Sequence, residues 1–166
     1  MKLRQINNWE VIPQESYLKY GIVESELMKC ESAFLKFYKE QNIVITLYNY
    51  GTLKNNAFEE IENEIIQNEL ENRLIDGNPN SAGYEDTSLY SCIFKEKLMI
   101  KNYECLSVVS KILLPEGNHS FVFQLYVKSN GNLYSIQFKF ANFNEKNIEK
   151  SFSEDQTFSE VLESIC

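Results

Sequence analysis

The stretch SFVFQLYVKSNGNLYSIQFKFA, from Ser120 to Ala141, decides the fold. Two runs of β-type residues flank Asn130-Gly131, the dipeptide best suited to a two-residue type I′ turn, in which both central residues take positive φ. Phe121, Phe123, Leu125 and Val127 fall on one face before the turn, and Tyr134, Ile136, Phe138 and Phe140 after it, because successive strand side chains alternate. A lone hairpin is marginal in water, so the rest of the chain must supply further strands and a covering layer. The first four of these residues are expected to form core beneath a helix.

Working outward, Ile43 to Tyr50 reads as a strand, with Ile43, Ile45 and Leu47 on one face and Val44, Thr46, Tyr48 and Tyr50 on the other. The apolar residues between Leu27 and Tyr38 suit a helix nearly as well as a strand; a strand near 32–39 is preferred, because K-E-Q-N follows as a turn. Leu89 to Lys95 and Cys105 to Leu114 read as strands, with a short strand or bend from Leu98 to Tyr103. Phe58, Ile61, Ile65, Ile66, Leu70 and Leu74 recur at helical spacing, with Asn56 as N-cap and Glu59 three residues on. Asp76-Gly77-Asn78-Pro79 ends that helix and opens a polar loop over 76–88. Its D-x-N-x-N start lacks the glycine and the bidentate Glu of a calcium loop. Phe158, Val161, Leu162 and Ile165 predict a short final helix over Thr157 to Ile165. Trp9, Val11 and Ile12 suit a short strand or docking segment, which Tyr17 to Val23 could continue. The expected fold is α+β: a curved antiparallel sheet of five to seven strands, with a long helix over 56–75 and a short C-terminal helix packed on it. Residues 1–166 are expected to form a single domain.

The chain of 166 residues is 43% hydrophobic and 13% aromatic, which excludes a disordered class. No apolar run approaches the ~20 residues of a membrane-spanning helix. The N-terminus MKLRQINNWE lacks the apolar stretch of a secretory signal. If nothing has been removed ahead of it, the protein is expected in the cytoplasm, with Cys30, Cys92, Cys105 and Cys166 as thiols.

The formal charge of −8 is concentrated: residues 57–76 carry seven acidic side chains against Arg73 alone, and residues 151–166 carry four and no basic one. The remainder is close to neutral. Nucleic acid is an unsuitable partner, since phosphate contacts need clustered Lys or Arg. An acidic helix either keeps the surface solvated or meets a basic partner.

Signatures of chemistry are scarce. The sequence has no G-x-S-x-G, P-loop, G-x-G-x-x-G or H-E-x-x-H motif. Four dispersed cysteines and one histidine, His119, in an expected turn, do not make a metal site. No catalytic residue and no cofactor are implied. Two groups of candidate partner-binding residues remain. One is the second sheet face, where Tyr48, Tyr50, Gln124 and Tyr126 offer apolar area with polar tips. The other is the acidic helix, with Glu59, Glu60, Glu62 and Glu64. Residues 1–31 could cover the second face, which would leave the helix as the candidate surface.

The segments IKNYECL (100–106) and YVKSNGNLYSI (126–136), in a chain ordered as strands, long helix, loop, meander and terminal helix, resemble the PsbP-like superfamily. That superfamily often shows I-x-G-Y-x-A before a central strand and D-G-x-x-Y-x-I in a hairpin. Here Asn102 stands for the glycine and Cys105 for the small residue, while Asn130-Gly131 and Tyr134 fit the hairpin. The resemblance covers about residues 33–165 and implies a curved antiparallel sheet with helices against it. Its members include a photosystem accessory subunit, a Ran-binding protein, envelope lipoproteins and Eag-type chaperones of secreted effectors; most act by binding protein. Cys30 follows E-L-M-K, which is not a lipobox, and the N-terminal W-x-D-R-S-type stretch of the Eag-type chaperones is not visible.

Three functions follow as expectations. The first is a non-catalytic protein-binding module, a cytoplasmic chaperone or adaptor for a secreted or toxic partner. The second is an immunity protein that neutralises a basic toxin through its acidic helices. The third is a small-ligand carrier or enzyme using a cavity between sheet and helix.

Overall fold

The Asn130-Gly131 turn closes as its sequence dictates. In the computed structural model Asn130 and Gly131 have φ of 49° and 73°, and Ser129 pairs with Asn132 across the turn. The structure describes residues 1–3, 9–38, 41–76, 89–113, 119–141 and 163.

Among the described residues, seven strands form one antiparallel sheet: β1 (Glu10–Val11), β2 (Cys30–Tyr38), β3 (Gln41–Thr52), β4 (Leu89–Ile100), β5 (Tyr103–Leu113), β6 (His119–Ser129) and β7 (Asn132–Ala141). Their spatial order is β1-β2-β3-β7-β6-β5-β4. The helix α1 (Ala57–Asp76) lies between β3 and β4 in sequence. Four antiparallel steps separate β3 from β4 in the sheet, so these two strands run parallel and α1 is a crossover connection. The α+β architecture stands, with α1 close to its expected span. Asn56 occupies the N-cap position, and its carbonyl accepts the first helical bond from the Glu60 N–H at 2.9 Å. The expected loop over 76–88 lies outside the described residues beyond Asp76. The terminal helix does too, apart from Glu163, which is helical.

Several boundaries differ from expectation. Leu98 to Tyr103 is not a separate strand or bend: β4 runs unbroken to Ile100, and Lys101-Asn102 makes a tight turn into β5. The positive φ falls on Lys101, at 53°, and not on the asparagine that stands for the family glycine. His119 opens β6 and does not sit in a turn. Tyr17 to Val23 does not extend the N-terminal strand. After β1 the chain makes three single 3-10 turns, Gln14–Ser16, Leu18–Tyr20 and Glu24–Glu26, with Gly21 left-handed at φ 78°.

The first face of the sheet is the main core. Ile43, Ile45 and Leu47 of β3 pack with Phe121, Phe123, Leu125 and Val127 of β6 and with Tyr134, Ile136 and Phe138 of β7. Leu3 and Trp9 join this cluster. The helix does not cover it. α1 packs on the opposite face, where Phe58, Ile61 and Ile65 meet Leu106 and Val108 of β5 together with Tyr126 and Leu133. Strand alternation marks two faces but not the one that a crossover takes; that depends on the hand of the connection.

Both sheet edges are modified. On one, β1 pairs with only Phe34 and Leu35 of β2. On the other, the β4 register shifts between Cys92 and Phe94, the charges Lys95-Glu96-Lys97 follow, and the Glu69 carboxylate of α1 accepts the Cys92 N–H at 2.9 Å. Bulges, edge charges and a capped N–H each discourage strand addition.

Candidate functional site

The second face of the sheet is divided between two covers. Ile12, Tyr17 and Ile22 of the N-terminal segment pack on Cys30, Ala33, Val44 and Tyr48. α1 covers the β5–β6 end. Between these covers lies a cleft of about 650 Å³. Its floor is Tyr48, Tyr50, Gln124, Tyr126 and Gln137; one wall presents Glu60, Ile61, Glu64 and Ile65 of α1, and the other Val23, Glu26 and Lys29.

Local chain geometry places each floor residue. Tyr48 lies opposite Ser135 of β7, and Gln124 opposite Gln137. After Asn49 the β3 register shifts, with Thr52 next opposite Asn132, so Tyr50 and Gly51 form a bulge. Gly51 has φ 81°, and its N–H donates to Asn49 Oδ1 at 2.9 Å. The Leu53 N–H then donates to the Gly131 carbonyl at 2.7 Å and ties the strand end to the β6–β7 turn. The bulge leaves the Tyr50 ring between its neighbours, 6.4 Å from Tyr48 and 6.5 Å from Tyr126, tilted 40° to each.

The cleft therefore brings the two sequence candidates together. All four sheet residues line it, and so do Glu60 and Glu64. Tyr48 contributes little surface, being 1% exposed beneath the N-terminal segment; among the described residues, Ile12, Tyr17 and Ile22 cover part of this face. The other two helix candidates face elsewhere. Glu62 is bound to Lys97 at 2.7 Å. Glu59 lines a separate hollow at the start of α1, beside Phe58, Glu104 and Lys128. There Lys128 bonds Glu104 at 2.8 Å and stands 4.3 Å from the Phe58 ring centre. Glu26, Lys29 and Val23 escape sequence reading, because short 3-10 turns carry no periodicity that would tie them to the sheet.

The charges in the cleft are largely paired. Lys29 binds Glu26 Oε1 at 3.1 Å and stands 5.3 Å from the Tyr50 ring centre. Lys54 binds Glu60 at 3.0 Å. Burial pushes the Tyr50 hydroxyl well above the ordinary tyrosine range and raises that of Tyr48, and Glu26 adds to the effect at both. Both phenols stay neutral near pH 7 and act as hydrogen-bond donors and acceptors. Gln124 Nε2 donates to Ser135 Oγ at 3.5 Å, a long contact that leaves its amide largely uncommitted. A walled trough with an aromatic and amide floor can hold apolar side chains and satisfy main-chain polar groups. Among the described residues, no group of three or more His, Cys, Asp or Glu could hold a metal ion, and no helix is long and apolar enough to cross a membrane.

No protein-family model and no curated protein matches the chain. Solved structures do. The cyanobacterial PsbP protein CyanoP of Synechocystis sp. PCC 6803 superposes with a TM-score of 0.51 at 11% identity, covering 95% of this chain and 81% of its own. LpqN of Mycobacterium tuberculosis, involved in cell envelope biogenesis, gives 0.45 at 10% identity over 99% of this chain and 80% of its own. PA94 of Pseudomonas aeruginosa, a protein of unknown function, gives 0.48 at 6% identity over 77% and 78%. At such identities a likeness concerns the fold alone, and CyanoP supports a PsbP-like arrangement of sheet and helix.

Proposed function

We propose that this protein is a non-catalytic protein-binding module, a cytoplasmic chaperone or adaptor that holds a segment of a secreted or toxic partner in the cleft between α1 and the N-terminal turns. One observation carries the reading: tyrosines and glutamines of the sheet and carboxylates of the helix line the same trough. Tyrosine supplies contact area at low entropic cost, and amides satisfy a bound main chain. The free thiols of Cys30, Cys92 and Cys105 favour a reducing compartment. An enlarged hydrophobic floor would suit a fatty ligand better than this one, with its glutamines and paired charges.

A photo-crosslinking residue placed at Gln124 tests the reading inside cells of the source organism. A protein adduct at position 124, absent when the same residue replaces Met28 on the outer surface (96% exposed), is the expected result. Equal adducts at both positions, or only small-molecule adducts at 124, would overturn it.

A further inference from the structure

Residues 13–28 carry their own main-chain bonding. Their turns close on the carbonyls of Pro13, Gln14, Tyr17, Leu18, Val23 and Glu24, from N–H groups of the same segment, at 2.9–3.2 Å. Among the described residues, main-chain bonds to the sheet stand at the two ends. The Ile12 N–H donates to the Ala33 carbonyl at 2.9 Å, and the Lys29 carbonyl accepts the Asn49 N–H at 2.8 Å. Between these ties the segment meets the sheet through side chains. Tyr17 and Ile22, 4% and 1% exposed, pack on Cys30, Ala33, Val44 and Tyr48, with the half-buried Tyr20 and Leu27 beside them. The outer side is bare, since Leu18, Val23 and Met28 are exposed. Lifting this single layer costs buried apolar contact, yet the main-chain bonds within it can travel with it, so it strands few polar groups. Tyr48 belongs both to the covered patch and to the floor of the cleft, so the patch continues that floor.

From these placements we infer that residues 13–28 form a strap, which lifts between its two ties while the rest of the fold stays intact and lengthens the cleft from Tyr48 towards Val44 and Ala33. The longer floor gives a partner segment a second apolar station, where Tyr17 and Ile22 sit in the closed form. That use of the strap rests on the protein-binding reading of the cleft; the opening itself does not.

Two buried thiols report on the opening: Cys30 beneath the strap and Cys105 in the first cluster. Alkylation by iodoacetamide is followed by mass in the full chain carrying Cys92→Ser and Cys166→Ser, over rising urea, with each site scaled to its rate in the unfolded chain. Cys30 should react about tenfold or more faster than Cys105 and with a shallower urea dependence, because a local opening exposes little surface. Phe123→Ala weakens the first cluster; it should speed Cys105 about a hundredfold and leave Cys30 unchanged. Tyr17→Ala removes a strap anchor and should speed Cys30 about tenfold or more. Equal scaled rates and urea slopes, measurable without either variant, would mean that the segment leaves only when the whole fold does, and the strap would be lost. A Cys30 rate indifferent to Tyr17→Ala would assign the labelling to fraying of β2 and sink it as well. Either failure leaves the protein-binding reading standing, since that depends on the adduct at position 124.

Discussion

The two faces of the sheet are made by the same strands and the same alternation, yet they are finished differently. On the first, Ile43, Ile45, Val127 and Ile136 are 0% exposed and join one cluster that runs from β2 to β5. On the second, two smaller clusters stand apart, one under the N-terminal segment and one under α1, and a cleft separates them. A continuous apolar face gains from being closed everywhere. A face interrupted by Thr46, Gln124, Ser135 and Gln137 gains less, because each polar group needs a partner when buried. The division of labour is that the first face holds the fold together while the second can leave part of its surface open.

Neighbouring residues on β6 give the sharpest way to break that comparison. Phe123 points into the first cluster and is 2% exposed, while Gln124 points into the cleft. Phe123→Ala should cost about 3–5 kcal/mol by urea unfolding, through lost transfer energy and the cavity left behind. Gln124→Ala should change stability by no more than about 0.5 kcal/mol. Similar losses for the two would mean that the cleft floor is as structural as the core.

Alkaline pH distinguishes the faces next. Burial in the first cluster pushes the Cys105 thiol from 9.0 up to about 11. Between those values the unfolded thiol has lost its proton and the folded one keeps it. The folded state then binds more protons, so stability is intact below pH 9 and falls as pH rises to about 11, by at most about 1.4 kcal/mol per unit for this one group. Cys105→Ala should flatten that stretch of a stability-against-pH curve measured in urea. In the cleft, Tyr50 is also raised, from 10.0, so the same sign applies but the loss begins a unit higher. Tyr50→Phe should leave the curve unchanged below pH 10 and flatten it above. If Tyr50→Phe flattened the curve below pH 10, the linkage assigned to Tyr50 would be wrong.

Much of this contrast can be read in the residues, and the part that cannot has a physical cause. The Asn130-Gly131 turn is legible because its dihedrals are local: few other dipeptides tolerate two positive φ values in succession. The span of α1 is legible from its cap and its apolar period. Tyr48, Tyr50, Gln124 and Tyr126 share a face because register follows from the hairpin and alternation. The side taken by α1 is not legible. Phe58, Ile61 and Ile65 would pack on either apolar patch, and the choice belongs to the crossover between two strands that sit four steps apart in the sheet. The wall formed by Val23, Glu26 and Lys29 is also hidden, because its segment docks through Ile12, Tyr17 and Ile22 at irregular spacing. Once the helix side is known, the two separate candidates of the sequence, a tyrosine face and an acidic helix, become two sides of one trough.

The smallest effect distinguishes carboxylates along the helix itself. Glu62 reaches Lys97 of β4 at 2.7 Å with 24% of its side chain exposed, so it helps to hold α1 on the sheet. Glu64, two residues on, opens to the cleft and lies one turn from Glu60. Glu62→Gln should destabilise by about 0.5–1 kcal/mol, the range for a partly exposed pair, and less at high salt. Glu64→Gln removes a like-charge neighbour at i,i+4 and should stabilise by about 0.2–0.5 kcal/mol at low salt. Thermal melts of the two variants at low and high salt read both signs. A destabilising Glu64→Gln would mean that Glu64 already has a structural partner, which would take it out of the set of groups left for a ligand.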